Sequence, residues 1–143
     1  MDHDPSPCTC FHLRRTTRRI TQAYDRELSA AGLNLNQYSI LRRTRHGPRV
    51  LGDLAEELGM DRTTLSRGLK PLLDGGLLTE ARGEDARQRL IELSAKGRER
   101  LRAAVPHWRR AQRRINQACG TPWITRLHRD LDRLTNRISE DAQ

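Results

Sequence analysis

Side-chain chemistry is most concentrated in the segment Cys8-Thr9-Cys10-Phe11-His12. Cys10 falls at the first turn of a predicted helix. There, unpaired N–H groups and the helix dipole favour a thiolate, and Arg14 and Arg15 add positive charge one turn later. Thiolate is the form that peroxides and electrophiles attack. Cys119 stands near the far end of the chain. The plainer reading makes Cys8 an arm thiol and makes Cys10 and Cys119 small packing residues. Metal binding by Cys8, Cys10 and His12 lacks a fourth ligand unless His3 or a partner supplies it, so neither metal nor cofactor is expected. His46, His107 and His128 are isolated, which suits surface or satisfied core positions. No nucleophile elbow, phosphate loop, zinc-protease motif or pair of catalytic carboxylates occurs, and an enzyme is not expected.

A second cluster is Arg62, Thr63, Thr64, Ser66, Arg67 and Lys70. Leu65 and Leu69 on the same predicted helix must face a core, which sends Arg62, Thr63, Ser66, Arg67 and Lys70 to the opposite side. That face suits nucleic acid. Hydroxyls can bond bases or phosphates, a threonine methyl can pack on thymine, and the Arg67 fork matches the two acceptors of guanine. The competing role for Arg67 and Lys70 is phosphate contact alone.

The elements that must position these residues follow from apolar spacing. Residues 1–7 are predicted to be a flexible arm. Leu13, Thr17, Ile20, Tyr24 and Leu28 mark one face of a helix starting near Thr9 and ended by Gly32. Asn34 caps a second helix that His46-Gly47-Pro48 stops. Leu51 to Leu72 read as two short helices around Gly59, with Asp61 capping the second, which is the layout of a helix–turn–helix. Leu77–Thr79 and Leu90–Leu93 read as two strands around a charged tip. Ser94 opens a long helix that Pro106 should kink. After Gly120-Thr121-Pro122, Ile124, Leu127, Leu131, Leu134 and Ile138 form a heptad seam. The fold expected is mainly α with a small β-hairpin wing. N-terminal helices over 8–47 and C-terminal helices over 94–143 flank a winged helix–turn–helix over 48–93. The outer stripes exceed what the central module can cover, which predicts a homodimer.

The chain has 143 residues, with 27 basic against 18 acidic, a net charge of +9, and 25 of the basic residues are arginine. A polyanion partner is the default inference from such a charge. However, residues 48–90 hold 7 basic and 8 acidic groups, so the excess lies on the flanking helices. Glu56, Glu57 and Asp74 should therefore point away from any DNA. No apolar run reaches the roughly 18 residues of a membrane span. The polar, acidic start does not look like a secretory signal, and three cysteines make no disulfide framework, so a cytoplasmic location is expected.

Three segments stand out: Leu51-Gly-Asp-Leu-Ala-Glu-Glu-Leu-Gly-Met-Asp-Arg-Thr-Thr-Leu-Ser-Arg67, Gly76-Leu-Leu78, and Asp85-Ala-Arg87 followed by Leu90-Ile-Glu-Leu-Ser-Ala-Lys-Gly97. Together they resemble the MarR family of bacterial transcription regulators. The resemblance covers about Thr9 to Ile138. It implies a two-fold dimer built from the first and last helices, with two winged helices set on one pseudo-palindromic duplex. It also implies a repressor released by a small molecule or by cysteine oxidation. Arg87 at the wing tip would enter a minor groove. Asp85 would fix that guanidinium or brace the loop, and Arg82 and Arg89 would meet phosphates. Effectors would bind between the first, second and fifth helices, which names His12, Thr16, Tyr38 and Trp108. Cys10 and Cys119, with Cys8 as an extra thiol, are similar in placement to the cysteines of the family's organic-hydroperoxide sensors. Pro71 departs from the commonest pattern and should loosen the second helix of the helix–turn–helix beyond its reading end. The expected function is sequence-specific, dimeric DNA binding in transcription regulation. The alternative is a non-specific architectural DNA-binding protein.

Overall fold

A computed structural model describes residues 6–142, so most of the arm expected over 1–7 lies outside the described residues. The elements are α1 (Thr9–Leu28), α2 (Leu35–Arg43), β1 (Arg49–Val50), α3 (Leu51–Leu58), α4 (Arg62–Asp74), β2 (Leu78–Arg82), β3 (Arg89–Leu93), α5 (Ala95–Cys119) and α6 (Thr121–Asp141), with one 3-10 turn over Ser29–Ala31. Contacts divide the chain into two compact units, one ending at Trp108 and one starting at Arg109. The division falls within α5.

In the first unit, local chemistry sets each boundary. Cys8 caps α1, its Sγ accepting from the Phe11 N–H at 3.4 Å, and Cys10 lies in the first turn. Asn34 caps α2 through a reciprocal box. Its Oδ1 accepts from the Gln37 N–H at 2.8 Å, and Gln37 Oε1 accepts from the Asn34 N–H at 3.0 Å. Asp25 at the end of α1 accepts from the Leu35 N–H at 2.7 Å, which ties the two helices. Gly59, at φ 65°, makes the left-handed turn that ends α3. Helix α4 runs unbroken through Pro71, which merely leaves the Arg67 carbonyl without its usual N–H partner.

The sheet has three antiparallel strands in the order β1-β3-β2, where two were expected. The extra strand pairs Arg49 with Ile91 and Val50 with Leu90. A strand of two residues carries too little alternation to be seen in sequence. β2 and β3 also reach further than expected, pairing Leu78 with Leu93 and ending at Arg82 opposite Arg89, so the wing tip shortens to Gly83–Gln88.

The core places Leu65, Leu69 and Leu72 of α4 beside Leu54, Ile40, Leu41, Leu78 and Ile91, all essentially without solvent exposure. Each such side chain contributes about 1.5–3 kcal/mol on burial. Ser94 fastens α5 to the turn after α4. Its Oγ donates to the Gly76 carbonyl at 2.6 Å and accepts from the Gly97 N–H at 2.9 Å. Lys96 Nζ adds a bond to the Gly75 carbonyl at 2.8 Å.

The second unit holds the end of α5 and all of α6. Gly120, at φ 86°, separates the helices, and Pro122 sits in the first turn of α6, where its missing N–H costs nothing. Pro106 does not interrupt α5. Ala111 and Ile124 are buried, while Trp123 is 48% and Ile138 60% exposed.

Candidate nucleic-acid interface

Asp61 caps α4 and aims its first turn. Its Oδ1 accepts from the Thr64 N–H at 2.7 Å, and its Oδ2 accepts from the Thr64 hydroxyl at 3.0 Å. These bonds, the Thr64 N–H foremost, hold the Asp61 carboxyl below its ordinary range. Thr64 is thereby bound into the cap and does not present a free hydroxyl. Thr63 and Arg67 are exposed on the same helix, and neither side chain has a hydrogen bond or ion pair among the described residues. Arg62 is also exposed and lies over Gly52, where an added Cβ would sit 2.8 Å from Nη2. The absence of a side chain at Gly52 thus gives Arg62 its place at the start of α3. Lys70 pairs with Asp74 at 2.9 Å on the surface, so Asp74 shares its side of the helix instead of pointing away. Glu57 forms ion pairs with Arg49 at 2.6 Å and Arg43 at 3.2 Å.

The wing tip is braced by Asp85. Its Oδ1 accepts from the Arg87 N–H at 3.0 Å and its carbonyl from the Gln88 N–H at 2.9 Å. Asp85 therefore shapes the loop and does not hold the guanidinium. Arg87 is exposed, and its side chain has no hydrogen bond or ion pair among the described residues. Arg89 differs from both. It forks onto Glu80 of β2 through Nε and Nη2, and Nη1 donates to Ser66 Oγ of α4 at 2.9 Å. Glu80 was not singled out from sequence. The paired strand register puts it diagonal to Arg89 on one sheet face, and this alternation is the signal that would have found it. A cleft of about 310 Å³ between α3, α4 and β3 is lined by Gly52, Asp53, Arg62, Arg87, Gln88 and Arg89, among others.

The other candidate residues are dispersed. His12 and Thr16 are exposed on the first half of α1, and His12 Nε2 lies 2.7 Å from the Ser6 carbonyl. Tyr38 is buried and stacks on Trp108 at 6.0 Å between ring centroids, and Tyr24 stacks on Trp108 at 6.3 Å. Tyr38 and Trp108 are thus together, and His12 and Thr16 belong to a different stretch of surface. The Tyr38 hydroxyl has no hydrogen-bond partner among the described residues. Cys8, Cys10 and Cys119 are all free thiols and exposed. Among the described residues, no group of three or more His, Cys, Asp or Glu is placed to hold a metal ion.

A helix–turn–helix with a charged outer face, braced by a three-stranded wing, defines a winged-helix DNA-binding module. The MarR family model matches residues 31–88. The M. tuberculosis transcriptional regulator MosR, solved in complex with DNA, is 38% identical over 93% of this chain and 97% of that one, with a TM-score of 0.85. A probable transcriptional regulator from Pseudomonas aeruginosa is 25% identical over 90% of this chain and 97% of that one, with a TM-score of 0.80. AbsC, a MarR family transcriptional regulator from Streptomyces coelicolor, shares the fold at 21% identity over 98% of each chain, with a TM-score of 0.81. No curated protein sequence matches. The chain belongs to the MarR family: it is a winged-helix, DNA-binding transcription regulator and not an enzyme. No helix among the described residues is long and apolar enough to cross a membrane.

Proposed function

We propose that this protein is a homodimeric cytoplasmic repressor that recognises a pseudo-palindromic operator, reading the major groove with α4 and a minor groove with the wing. The observation that carries the proposal is a division of labour among neighbouring polar residues. Thr64, Ser66 and Arg89 are held by protein partners, while Arg67 on α4 and Arg87 on the wing tip stay uncommitted. Free guanidinium forks on two adjoining elements suit two grooves of one duplex. The near-neutral winged helix argues against binding by charge alone, as an architectural protein would bind.

Dimerisation is supported by exposed apolar side chains on the outer helices: Phe11 at 49% and Leu13 at 37% on α1, and Trp123 and Ile138 on α6. Release by a small molecule is supported by the partnerless Tyr38 hydroxyl beside Trp108, and release by oxidation by the exposed Cys8, Cys10 and Cys119. The test is to select duplexes from a random-sequence library and compare affinity for the selected and a scrambled duplex. Specific recognition predicts discrimination of about 10³-fold or more at moderate salt. Equal affinities would leave only the architectural reading. The same assay with peroxide and then reductant tests the thiols: loss of binding that persists in Cys10→Ser removes Cys10 as the sensor.

A further inference from the structure

Arg89 is the junction between the two halves of the interface. Its strand leads directly to Arg87, and its guanidinium reaches Ser66, one residue before Arg67. Three of its donors are committed. Nε and Nη2 bind both oxygens of Glu80, the second at 2.8 Å, and Nη1 donates to Ser66 Oγ at 2.9 Å. A two-point fork fixes the plane of a guanidinium as well as its position. Each partner answers the other: the bond from Arg89 is the main cause that holds the Glu80 carboxyl below its ordinary range. The consequence falls on Ser66. Because its oxygen accepts from Arg89, its own proton turns away from the guanidinium, which leaves the hydroxyl able to donate to another acceptor.

We propose that Glu80 is a specificity-determining positioning residue. Through Arg89 it locks the wing to α4 at one spacing and turns the Ser66 hydroxyl outward as a directed donor. Glu80 itself, a carboxylate beside DNA, makes no favourable contact with phosphate and acts only through Arg89. The proposal rests on the operator-binding reading above and adds a residue that reading does not use. It also gives a role to an acidic side chain paired with an arginine of the wing.

The test uses the full-length protein, a duplex selected by the wild type from a random library, and a scrambled duplex of equal length, in fluorescence anisotropy at several salt concentrations. Glu80→Gln is expected to weaken binding to the selected duplex about five- to tenfold, the scale of one positioned hydrogen bond. Binding to the scrambled duplex should stay unchanged or tighten, because a negative charge is removed. Ser66→Ala should lose a similar factor. The double variant should lose no more than Ser66→Ala alone, since both act through one chain of bonds. A merely structural role for Glu80 would give multiplying losses. A discrimination ratio within twofold of wild type in Glu80→Gln, or multiplying losses, overturns the proposal. Should circular dichroism show Glu80→Gln unfolded, Arg89→Lys carries the test. It keeps the charge but not the fork, and must show the same loss of discrimination. If the wild type selects no duplex, the operator reading falls first and takes this inference with it.

Discussion

Gly97→Ala should destabilise this protein, although alanine normally strengthens a helix. Gly97 lies in the first turn of α5, and its backbone passes directly over the turn that leads into the wing. A Cβ there would sit 2.0 Å from the Leu77 carbonyl oxygen and 2.7 Å from Leu93 Cδ1. Relieving the first contact requires α5 and the Leu77 peptide to separate by more than about 1 Å, since non-bonded atoms sit at about 3.5–4 Å. The Leu77 backbone cannot move freely: its carbonyl accepts from the Ser94 N–H at 3.1 Å and its N–H donates to the Leu72 carbonyl at 2.9 Å. Overpacking of this kind costs about 1–3 kcal/mol or more. Disturbing the Ser94 cap costs about 1 kcal/mol. The helix-propensity gain is about 1 kcal/mol. The net is a loss of about 1–3 kcal/mol, which lowers Tm by roughly 3–10 °C for a chain of this length. Thermal unfolding followed by circular dichroism measures it. A variant that melts at or above the wild-type temperature would refute the close approach. The pattern Leu93-Ser94-x-x-Gly97 then has a mechanical meaning: serine caps the helix and glycine lets it touch the base of the wing.

Arg87→Ala should weaken DNA binding while lowering the slope of log affinity against log salt by about one, because one cation near phosphate is lost; unchanged affinity and slope would contradict the wing assignment. Glu57 bears on acid stability. Its hydrogen bond from Arg49, foremost among its contacts, holds its carboxyl below the ordinary 4.5. A depressed carboxyl stabilises the fold fully above that ordinary value and loses its contribution as pH falls through the lower folded value. Glu57→Gln should therefore flatten the acid limb of a stability-against-pH curve below about 4.5, and an unaltered limb would count against the Arg43–Glu57–Arg49 clamp.

Much of the fold was legible because helices announce themselves by spacing and caps. Asn34, Gly59, Asp61 and Ser94 act at the boundaries where their side chains or backbones predict them to act. The strand Arg49–Val50 was not legible, since two residues cannot display a period. The site was legible as a set of residues but not as a set of roles. Arg67, Arg87 and Arg89 look alike in sequence, yet only the register of the hairpin brings Glu80 to Arg89 and leaves the other two free. Likewise, Asp85 pairs with an N–H and not with a guanidinium, and Thr64 bonds to Asp61. These are short-range choices between equivalent partners, decided by geometry that composition does not encode.

On the proposed reading α4 meets the bases and Arg67 reads one of them directly. The most direct measurement is the affinity of wild type and Arg67→Ala for every single-base variant of the selected duplex. Direct readout predicts that Arg67→Ala loses about 1–3 kcal/mol on the parent duplex and becomes indifferent to substitution at one base pair in each half-site. A uniform loss across all variants, with sequence preference intact, would make Arg67 a phosphate contact and contradict the account.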